Sequence, residues 1–537
     1  MRAAGWWKQL PTGRMAWALA LALMVGIASE GWAQQPEIRL EVMSLYRMGR
    51  ATVYPLEGAR MRWCARCEAS GWTKAVRISA AGATVRDEAN GRTAEALWID
   101  GGVRVEGEAA ERTLATGAEI RAKDGRLVVI ARMPVEDYTA AVVQGETAGE
   151  MPTEALRAMA VAARTYATRF RERHKAEHFD FCDTTHCQFA NLKVTAAVRA
   201  AVDATRGELL WKDGRPVAAY YHQDCGGRTE AAKDVWPSAE GSEGRSDPYC
   251  VRVAKPWRAE IARRELDAAM KAAELKVAPG WERITVLRRT PSGRAQTLSF
   301  AAGSGSGVVV AASSVRFAVG RAMGWGVLKS DWYEVSRMGD HFVFSGRGTG
   351  HGVGMCQLGA GEMAREGKGY REILAFYYPG ATVSVAASGI RWSRSAGAGV
   401  DVFVVEGKAE DALKTAGRAL EWAEMRTGLR ARTRPEVYVY PTVEMFRNAT
   451  GEPGWVAAST RGKRIRMQPT KVLGARVEEV LRRRRSSSGP GGTRSEEASS
   501  HLHMESAQDA RVKGSIAREE GAREASREWR SWAKAQQ

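Results

Sequence analysis

The chain of 537 residues is long enough to form more than one domain, and its 44% hydrophobic and 26% charged residues are ordinary for a globular protein. Its net charge of +18 predicts a salt-sensitive attraction to polyanions, such as nucleic acid, anionic lipid or anionic cell-wall polymer. Because the sequence contains no classical nucleic-acid-binding module, we expect no nucleic-acid partner.

The N-terminus has the features of a secretory signal. Three basic residues, Arg2, Lys8 and Arg14, precede the apolar run AWALALALMVGIA, and small residues follow up to Ala33. This pattern predicts a signal peptide over residues 1–33 and a secreted protein of the periplasm or cell wall. An uncleaved anchor is the alternative, but the run is short for a full membrane span. No later segment is apolar enough to cross a bilayer, so we expect no transmembrane anchor in the mature chain.

Strand signals dominate the first part of the mature chain. From Ile38 to about Arg132, short alternating runs such as IRLEV, VRVEG and RLVVIAR are separated by Gly, Asn and Asp. Further strand-like runs are VAAYYH, RITVLRR, GVVVAA, SVRFAVG and HFVFSG. Together with a few helices, these runs predict an α+β domain over residues 34–395.

Helical signals begin at Pro134. The segment Val135–Val143 predicts a short helix that ends near Gly145, and a second helix is expected from about Pro152. The second helix has an apolar face at three- and four-residue spacing, made by Leu156, Met159, Ala163, Tyr166 and Phe170. Two more helices are predicted after the glycine-rich loop, over 357–365 and 370–378.

A second, smaller unit is predicted after a linker at Ala396–Ala398. The runs VDVFVVEG, EVYVYP and RIRMQP and a helix from Ala409 to about Thr427 indicate a small α+β unit over residues 398–480. Residues 481–537 lack apolar periodicity, so we predict a low-complexity, disordered tail. This abrupt change suggests the hypothesis that the small unit is truncated.

Six short motifs in a fixed order carry a family resemblance. They are VEDY at Val135, ALRA at Ala155, AARTYA at Ala162, GGRTE at Gly226, GHGVGMCQ at Gly350 and YYPG at Tyr377. Together they resemble the SpoIID/LytB family, named for stage II sporulation protein D and an amidase enhancer. The resemblance implies an extracytoplasmic lytic transglycosylase that cuts peptidoglycan glycan strands. The alternative is a non-catalytic wall-binding protein that stimulates a separate amidase.

A lytic transglycosylase requires one carboxylic acid with a raised pKa, which donates a proton to the leaving oxygen and then removes one from the muramic acid 6-hydroxyl. Two residues compete for this role. Glu150 lies in a Gly-Glu-Met motif like that of the family. When the chain is instead matched to the family's motifs without gaps, the position of the family's acid falls on Glu146. Glu146 follows the apolar pair Val142-Val143, where burial raises a pKa, and Glu150 precedes a helix N-terminus, which lowers it. We therefore predict Glu146 as the catalytic general acid and then base.

Four residues are predicted to bind substrate. Arg164 matches an arginine of the family motif. Its functional role would be to orient the acid or to bind a saccharide carboxylate, and the alternative is a buried structural ion pair. Alternate glycines over 346–354 allow positive φ and close approach of a ligand, and His351 within this loop is expected to bind sugar hydroxyls or to be structural. Gln357 and His222 are weaker candidates for the same cleft.

The segment HKAEHFDFCDTTHCQ is rich in histidine and cysteine. Some family members bind zinc through one His and two Cys of this region, so the resemblance implies His178, Cys182 and Cys187 as zinc ligands. A Cys182–Cys187 disulfide is the alternative.

The seven cysteines fit an oxidising compartment, and their odd number leaves at least one thiol unpaired or bound to metal. We predict a structural disulfide between Cys225 and Cys250. A local disulfide is expected between Cys64 and Cys67, because this β-rich stretch lacks the context of a redox motif.

Overall fold

The structure is a computed structural model that describes residues 37–481 with short gaps. The gaps are residues 65, 73, 148–149, 242, 278–279, 304, 398, 406–408, 428–432, 462 and 479. The predicted signal peptide, and the predicted tail apart from Leu481, lie outside the described residues. The fold is α+β, as predicted.

The described residues form two compact units. The first unit comprises 37–138 and 172–187, and the second comprises 139–171 and 188–481. The domain boundaries predicted from the sequence, at residues 395, 398 and 480, remain predictions.

The first unit consists of β-strands in two sheets, in which nearly all neighbouring strands are antiparallel. Its strands are β1 (Glu37–Val42), β2 (Arg50–Pro55), β3 (Arg60–Arg62), β4 (Ser70–Gly71), β5 (Val76–Ala81), β6 (Thr84–Asp87), β7 (Thr93–Ala94), β8 (Ala96–Asp100), β9 (Val103–Gly107), β10 (Glu111–Leu114), β11 (Gly117–Lys123), β12 (Arg126–Pro134) and β13 (Phe181–Cys182). The sheet orders are β13-β1-β12-β11-β8-β3-β4 and β10-β9-β2-β5-β6-β7. A 3-10 turn covers Lys175–Glu177. The predicted β-rich region is therefore confirmed.

Side-chain alternation explains the register of the first strand. Ile38, Leu40 and Val42 are buried, and β1 pairs antiparallel with β12 so that Glu37 lies opposite Pro134. A slip of one residue would expose this apolar set, which fixes the pairing.

Helices are found mainly in the second unit. They are α1 (Val135–Thr147), α2 (Thr153–Arg169), α3 (Ala196–Ala204), α4 (Ala232–Val235), α5 (Arg263–Ala272), α6 (Ala312–Met323), α7 (Gln357–Arg365), α8 (Tyr370–Tyr377), α9 (Glu410–Thr427), α10 (Val443–Thr450) and α11 (Thr470–Leu473). Helix α1 begins in the first unit and continues into the second. Short 3-10 turns cover Cys250–Arg252 and Gly474–Arg476.

The strands of the second unit form small sheets. They are β14 (Leu209–Lys212), β15 (Arg215–Pro216), β16 (Tyr221–His222), β17 (Trp257–Ala262), β18 (Arg283–Arg289), β19 (Ala295–Ala301), β20 (Val308–Ala311), β21 (Tyr333–Met338), β22 (His341–Gly346), β23 (Met355–Cys356), β24 (Thr382–Ser384), β25 (Ser393–Gly397), β26 (Val400–Val404), β27 (Glu436–Val439), β28 (Ala458–Arg461) and β29 (Arg464–Met467). The sheet orders are β15-β14-β24, β16-β23, β17-β22-β21, β18-β19-β20 and β25-β26-β27-β29-β28. The last sheet and α9 share one apolar core, and the separate small unit predicted over 398–480 stays a prediction.

Two predicted elements differ from the structure. The run SVRFAVG was predicted as a strand, but it lies within helix α6. Ala312, Val315 and Val319 of this helix are all buried, so the apolar side chains follow the helical period. Helix α1 also continues past Gly145 to Thr147, which places Glu146 in its last turn.

Helix α2 is a buried helix of the second unit, and its predicted apolar face is confirmed except for Phe170, which follows the last helical residue and is partly exposed. Leu156, Met159 and Ala163 are at most 2% exposed. Pro152 occupies the position just before the first helical residue, where a missing N–H has no cost. Within the described residues, none of the helices is both long and apolar enough to span a bilayer.

Candidate functional site

Glu146 lies in the last turn of α1 and is only partly exposed. Its Oε1 accepts a hydrogen bond of 2.8 Å from the backbone N–H of Phe189. The neighbouring Gly145 permits this approach, because a Cβ there would lie 2.8 Å from the carbonyl carbon of Phe189. The glycine thus brings a distant loop against the carboxyl group.

A tyrosine and a glutamine complete the surroundings of Glu146. The side chain of Tyr221 also hydrogen-bonds to Glu146. The Nε2 of Gln188 donates to the Tyr221 hydroxyl over 2.8 Å, which leaves the single hydroxyl hydrogen for the carboxylate. Burial raises the pKa of Glu146 to about 7, and the hydrogen bonds from Phe189 and Tyr221 oppose part of that rise. A carboxyl group of this kind holds a proton near neutral pH and can release it.

The rival acid, Glu150, has a different environment. Its side chain is exposed, and its backbone N–H donates to Thr147 over 3.3 Å. Of the two, only Glu146 combines burial with fixed hydrogen-bond donors, which supports the choice made from the sequence.

The glycine-rich loop follows β22. Gly348, Gly350, Gly352 and Gly354 have positive φ, as predicted, whereas Gly346 ends the strand without it. At Gly352 a Cβ would lie 2.6 Å from the guanidinium carbon of Arg294. Side chains at these positions would therefore strain the backbone and collide with neighbouring groups.

Arg294 lies beneath this loop and is 3% exposed. Its Nη2 donates to the carbonyl oxygens of Cys225 and Arg228 over 2.9 and 3.0 Å. The buried cation thus packs closely against Gly352 of the loop and hydrogen-bonds to the backbone at Cys225 and in the GGRTE segment.

His351 is held in a defined orientation. Its Nδ1 accepts from the N–H of Val353 over 3.0 Å, and the ring also hydrogen-bonds to the backbone of Tyr221. Tyr221 therefore contacts Glu146 through its side chain and His351 through its backbone. This residue brings two of the predicted site residues into one neighbourhood.

His222 packs against His351, with ring centroids 5.7 Å apart. Its Nδ1 hydrogen-bonds to the carbonyl of Val353 over 3.0 Å, whereas its buried Nε2 has no partner within the described part of the chain. Burial lowers the pKa of His222 to about 3, and it holds the pKa of His351 well below the ordinary value. Both rings are therefore neutral, and the unpaired Nε2 is a hydrogen-bond acceptor suited to a water molecule or a ligand hydroxyl.

Aromatic side chains continue from this pair. Trp236 lies 5.0 Å from His351 between ring centroids, and Tyr220 lies 4.8 Å from Trp236. Phe170 extends the series at 5.5 Å from Tyr220. We call Phe170, Tyr220 and Trp236 the aromatic row. All three are partly exposed, so their faces and edges are available to the apolar face of a sugar ring.

The other two predicted binding residues are more enclosed. Arg164 is 2% exposed, and its guanidinium donates to the carbonyl oxygens of Val202, Thr205 and Glu208 at the end of α3. These partners favour a structural role over the saccharide contact predicted for it. Gln357 is 8% exposed and begins α7.

Reasoning from the sequence missed Tyr221, Gln188 and Trp236. Tyr221 belongs to the run VAAYYH, in which only His222 was predicted from the sequence as a site residue; the strand in this run is two residues long. The two tyrosines directly before His222 were the available signal.

A group of four metal-binding side chains lies in the first unit. Ligand atoms of His174, Cys182, His186 and Cys187 are all within 4.8 Å of one another. The Sγ of Cys187 is 3.3 Å from Nε2 of His174, and the Sγ of Cys182 is 3.5 Å from Nδ1 of His186. Both cysteines are free thiols, so the alternative of a Cys182–Cys187 disulfide is absent.

His178, which the sequence suggested as the histidine ligand, lies outside this group. It is exposed and has a positive φ of 69° at the end of the 3-10 turn. The left-handed conformation reverses the chain there, so that His174 and His186 replace it beside the cysteines.

The remaining cysteines give one confirmed and one wrong prediction. Cys64 and Cys67 form a disulfide, as predicted. Cys225 and Cys250 do not, because both are free and lie together with Cys356.

With an acid-bearing helix end and a histidine-bearing glycine loop in an α+β fold, the chain belongs to the SpoIID/LytB family. The family model described as Stage II sporulation protein matches residues 123–211, which include Glu146. A second model, described as a domain of unknown function (DUF8618), matches residues 254–354, which include His351.

Several relatives share part of this chain. An uncharacterized protein of Brachyspira hyodysenteriae is 31% identical over 261 residues, covering 48% of this chain and 68% of the relative. Stage II sporulation protein D of Bacillus subtilis is 29% identical over 283 residues, covering 48% and 76%. The amidase enhancer of Bacillus subtilis is 28% identical over 299 residues, covering 45% of this chain and 40% of the relative.

Proposed function

We propose that this protein has a cell-wall-related role and acts as a peptidoglycan lytic transglycosylase with Glu146 as its acid and base. The observation that carries this proposal is a partly buried carboxyl group with a pKa raised to about 7 beside two fixed hydrogen-bond donors. Family membership supports the wall-related role, and the site supports the chemistry.

The reaction needs only one carboxyl group. Glu146 donates its proton to the glycosidic oxygen as the bond from that oxygen to the anomeric carbon of muramic acid breaks. The resulting carboxylate then takes the proton of the 6-hydroxyl, and that oxygen bonds to the anomeric carbon. The products are a free 4-hydroxyl on one strand and a 1,6-anhydro-muramic end on the other, and no water is consumed.

The surrounding residues fit these two steps. The Phe189 N–H and the Tyr221 hydroxyl hold the carboxyl group in place and stabilise the carboxylate formed after the first proton transfer. Neutral His222 offers its Nε2 as a hydrogen-bond acceptor for a hydroxyl group without adding a charge, and His351 is held beside it by the backbone. The aromatic row provides apolar surface for sugar rings.

The proposal also includes the cellular location of the protein and a zinc ion bound in its first unit. The signal-like residues 1–33 support export to the wall or periplasm. His174, Cys182, His186 and Cys187 match the donor set of a tetrahedral zinc site with four protein ligands, which is a closed and therefore structural arrangement. Zinc there would stabilise the first unit and would take no part in the reaction.

The test compares Glu146→Gln with Glu150→Gln on purified glycan strands freed of stem peptides. We expect the wild type and Glu150→Gln to release products with anhydro-muramic ends, identified by mass spectrometry, and Glu146→Gln to lose at least about 100-fold in rate. Full activity in Glu146→Gln would refute the proposal.

A second candidate is a non-catalytic enhancer of a wall amidase, favoured by the similarity to the Bacillus subtilis amidase enhancer. In that case the wild type would release no anhydro ends from denuded strands. It would instead raise the rate of an added wall amidase, and Glu146→Gln would do the same.

A further inference from the structure

A second group of metal-binding side chains lies in the core of the second unit. The Sγ atoms of Cys225, Cys250 and Cys356 and a carboxylate oxygen of Asp247 are all within 4.8 Å of one another. All four residues are fully buried, with exposed fractions of 0%. Buried polar clusters of this density need either complete hydrogen bonding or a bound ion.

The four side chains come from three separate parts of the chain. Cys225 follows β16, Asp247 and Cys250 flank the start of a 3-10 turn, and Cys356 ends β23 and caps α7. No local sequence spacing brings them together, so the fold itself places the three sulfur atoms around one point.

Backbone groups are aimed at the sulfur of Cys356. The N–H of Cys225 lies 3.3 Å from this Sγ, and the N–H of Gly359 in the first turn of α7 lies 3.4 Å from it. Donors directed at sulfur stabilise a thiolate, and the thiolate is the form that binds metal.

The carboxylate of Asp247 is fixed from its outer side. Its Oδ1 accepts from the N–H groups of Tyr249 and Cys250 over 3.1 and 2.9 Å, and its Oδ2 accepts from the Tyr377 hydroxyl over 2.7 Å. Oδ2 also lies 3.3 Å from the Sγ of Cys225. A Cβ at Gly359 would lie 2.5 Å from this oxygen, so the glycine leaves room for the carboxylate.

We propose that Cys225, Cys250, Cys356 and Asp247 form a second zinc site, separate from the histidine–cysteine group of the first unit. Zn²⁺ binds thiolate at about 2.3 Å and carboxylate oxygen at about 2.1 Å in a tetrahedron, so sulfur ligands lie about 3.8 Å apart. The observed group needs only small side-chain shifts to meet those distances. Three thiolates select a soft ion over magnesium or calcium.

The surroundings of this site carry charges of both signs, and Oδ1 of buried Asp224 lies 3.1 Å from the Sγ of Cys250. Three thiolates and a carboxylate carry two more negative charges than Zn²⁺ supplies, and buried Arg294 lies close by, with its Nη2 donating to the carbonyl of Cys225 over 2.9 Å. Arg294, which also pairs with buried Glu230 over 3.9 Å, thus offsets part of the charge of the metal cluster.

Zinc in this position would fix the floor of the candidate active site. β16 carries His222 and pairs in parallel with β23, which ends at Cys356. The metal would therefore clamp the His222 strand to the end of the His351 loop. The inference itself does not depend on the transglycosylase proposal, because it concerns metal binding alone.

The experiment measures zinc in the purified full chain after expression with export and no added chelator. The double variant Cys182→Ser/Cys187→Ser removes two thiols of the first group and isolates the second. We expect this variant to retain about one zinc ion per chain and to lose it when Cys356→Ser is added. After its zinc is removed and replaced with Co²⁺, the Cys182→Ser/Cys187→Ser variant should show the strong near-ultraviolet thiolate absorption of a three-sulfur site.

Two results would overturn the proposal. One is the absence of zinc from Cys182→Ser/Cys187→Ser while its circular dichroism remains that of the wild type. The other is a disulfide between two of Cys225, Cys250 and Cys356, found by non-reducing peptide mapping of protein that contains no metal when it is purified.

To separate metal loss from misfolding, the melting temperature of Cys356→Ser is compared with that of chelator-treated wild type. Equal values support the metal site, and a much lower value in the variant counts against it.

Discussion

Glu146 accepts a 2.8 Å hydrogen bond from the backbone amide of Phe189, a residue 43 positions further along the chain. This contact fixes a partly buried carboxyl group at a helix end against a loop, with Tyr221 as its second donor. The arrangement leads to several measurable consequences.

The activity should depend on the proton of Glu146. Burial raises the pKa of this group to about 7, and the general acid must be protonated when substrate binds. We expect the rate to be high in mildly acidic solution and to fall about tenfold per pH unit well above neutrality. The measurement is the release of anhydro-ended products between acidic and alkaline pH. A rate that keeps rising into the alkaline range would contradict this assignment.

Stability should depend on the same proton. The pKa of Glu146 rises from 4.5 to about 7 on folding, so the native state binds more protons between these values than the unfolded state. The stabilisation is complete below the unfolded pKa and is lost as the pH rises through the folded pKa. We expect the unfolding free energy of wild type to drop by about 2 kcal/mol more than that of Glu146→Gln over this range. Denaturant titrations at several pH values measure it, and parallel curves would disprove it.

Tyr221→Phe should move the alkaline limb of the rate profile. The hydroxyl stabilises the carboxylate, so its removal raises the pKa of Glu146 further, and the limb shifts upward by about half a pH unit. A purely structural role would lower the rate without moving the limb. Tyr46→Phe, at an exposed position of the first unit, is the matched control and should leave the profile unchanged.

Gly145→Ala should separate Glu146 from Phe189. In an unconstrained helix the change would stabilise by about 1 kcal/mol, but here the new Cβ meets the Phe189 backbone. We therefore expect a net destabilisation of about 1–3 kcal/mol with a loss of activity. Gly326→Ala has open space around its Cβ and an ordinary φ, so thermal unfolding of this control should match the wild type. A stabilised Gly145→Ala would show that the contact is absent.

Zinc binding in the first unit should distinguish two histidines. His174 lies 3.3 Å from the Cys187 sulfur, whereas His178 is exposed and outside the group. We expect His174→Ala to weaken zinc binding at this group by at least about tenfold and His178→Ala to leave it unchanged, as judged by competition with a chelator. The reverse order would restore the ligand set suggested by the sequence.

The sequence was most informative where the chemistry is local. The position of Glu146 after an apolar pair predicted a buried acid, and the alternating glycines predicted the positive φ of the loop. The helix end was misjudged because Gly145 indicated a stop, whereas Gly145 is needed for the approach of Phe189. The sequence spacing between His178 and the cysteines fits a metal ligand, but the left-handed backbone conformation of His178 turns the chain so that this residue lies outside the group.

Long-range contacts were beyond the reach of sequence patterns. A disulfide was predicted between Cys225 and Cys250, and nothing local indicated that Cys356 would lie beside them. Tyr221 likewise acts through a two-residue strand whose position depends on its pairing with β23. Such contacts arise only after distant segments pack together.

The neutral imidazoles of His222 in β16 and His351 in the glycine-rich loop determine how the candidate site would respond to pH. Because the pKa of His222 is about 3 and that of His351 is also depressed, moderate acid adds no charge to either ring. Moderate acid does, however, protonate the carboxylate of Glu146. Under the proposed function, moderate acid would therefore raise the rate of strand cutting, and alkaline solution would lower it.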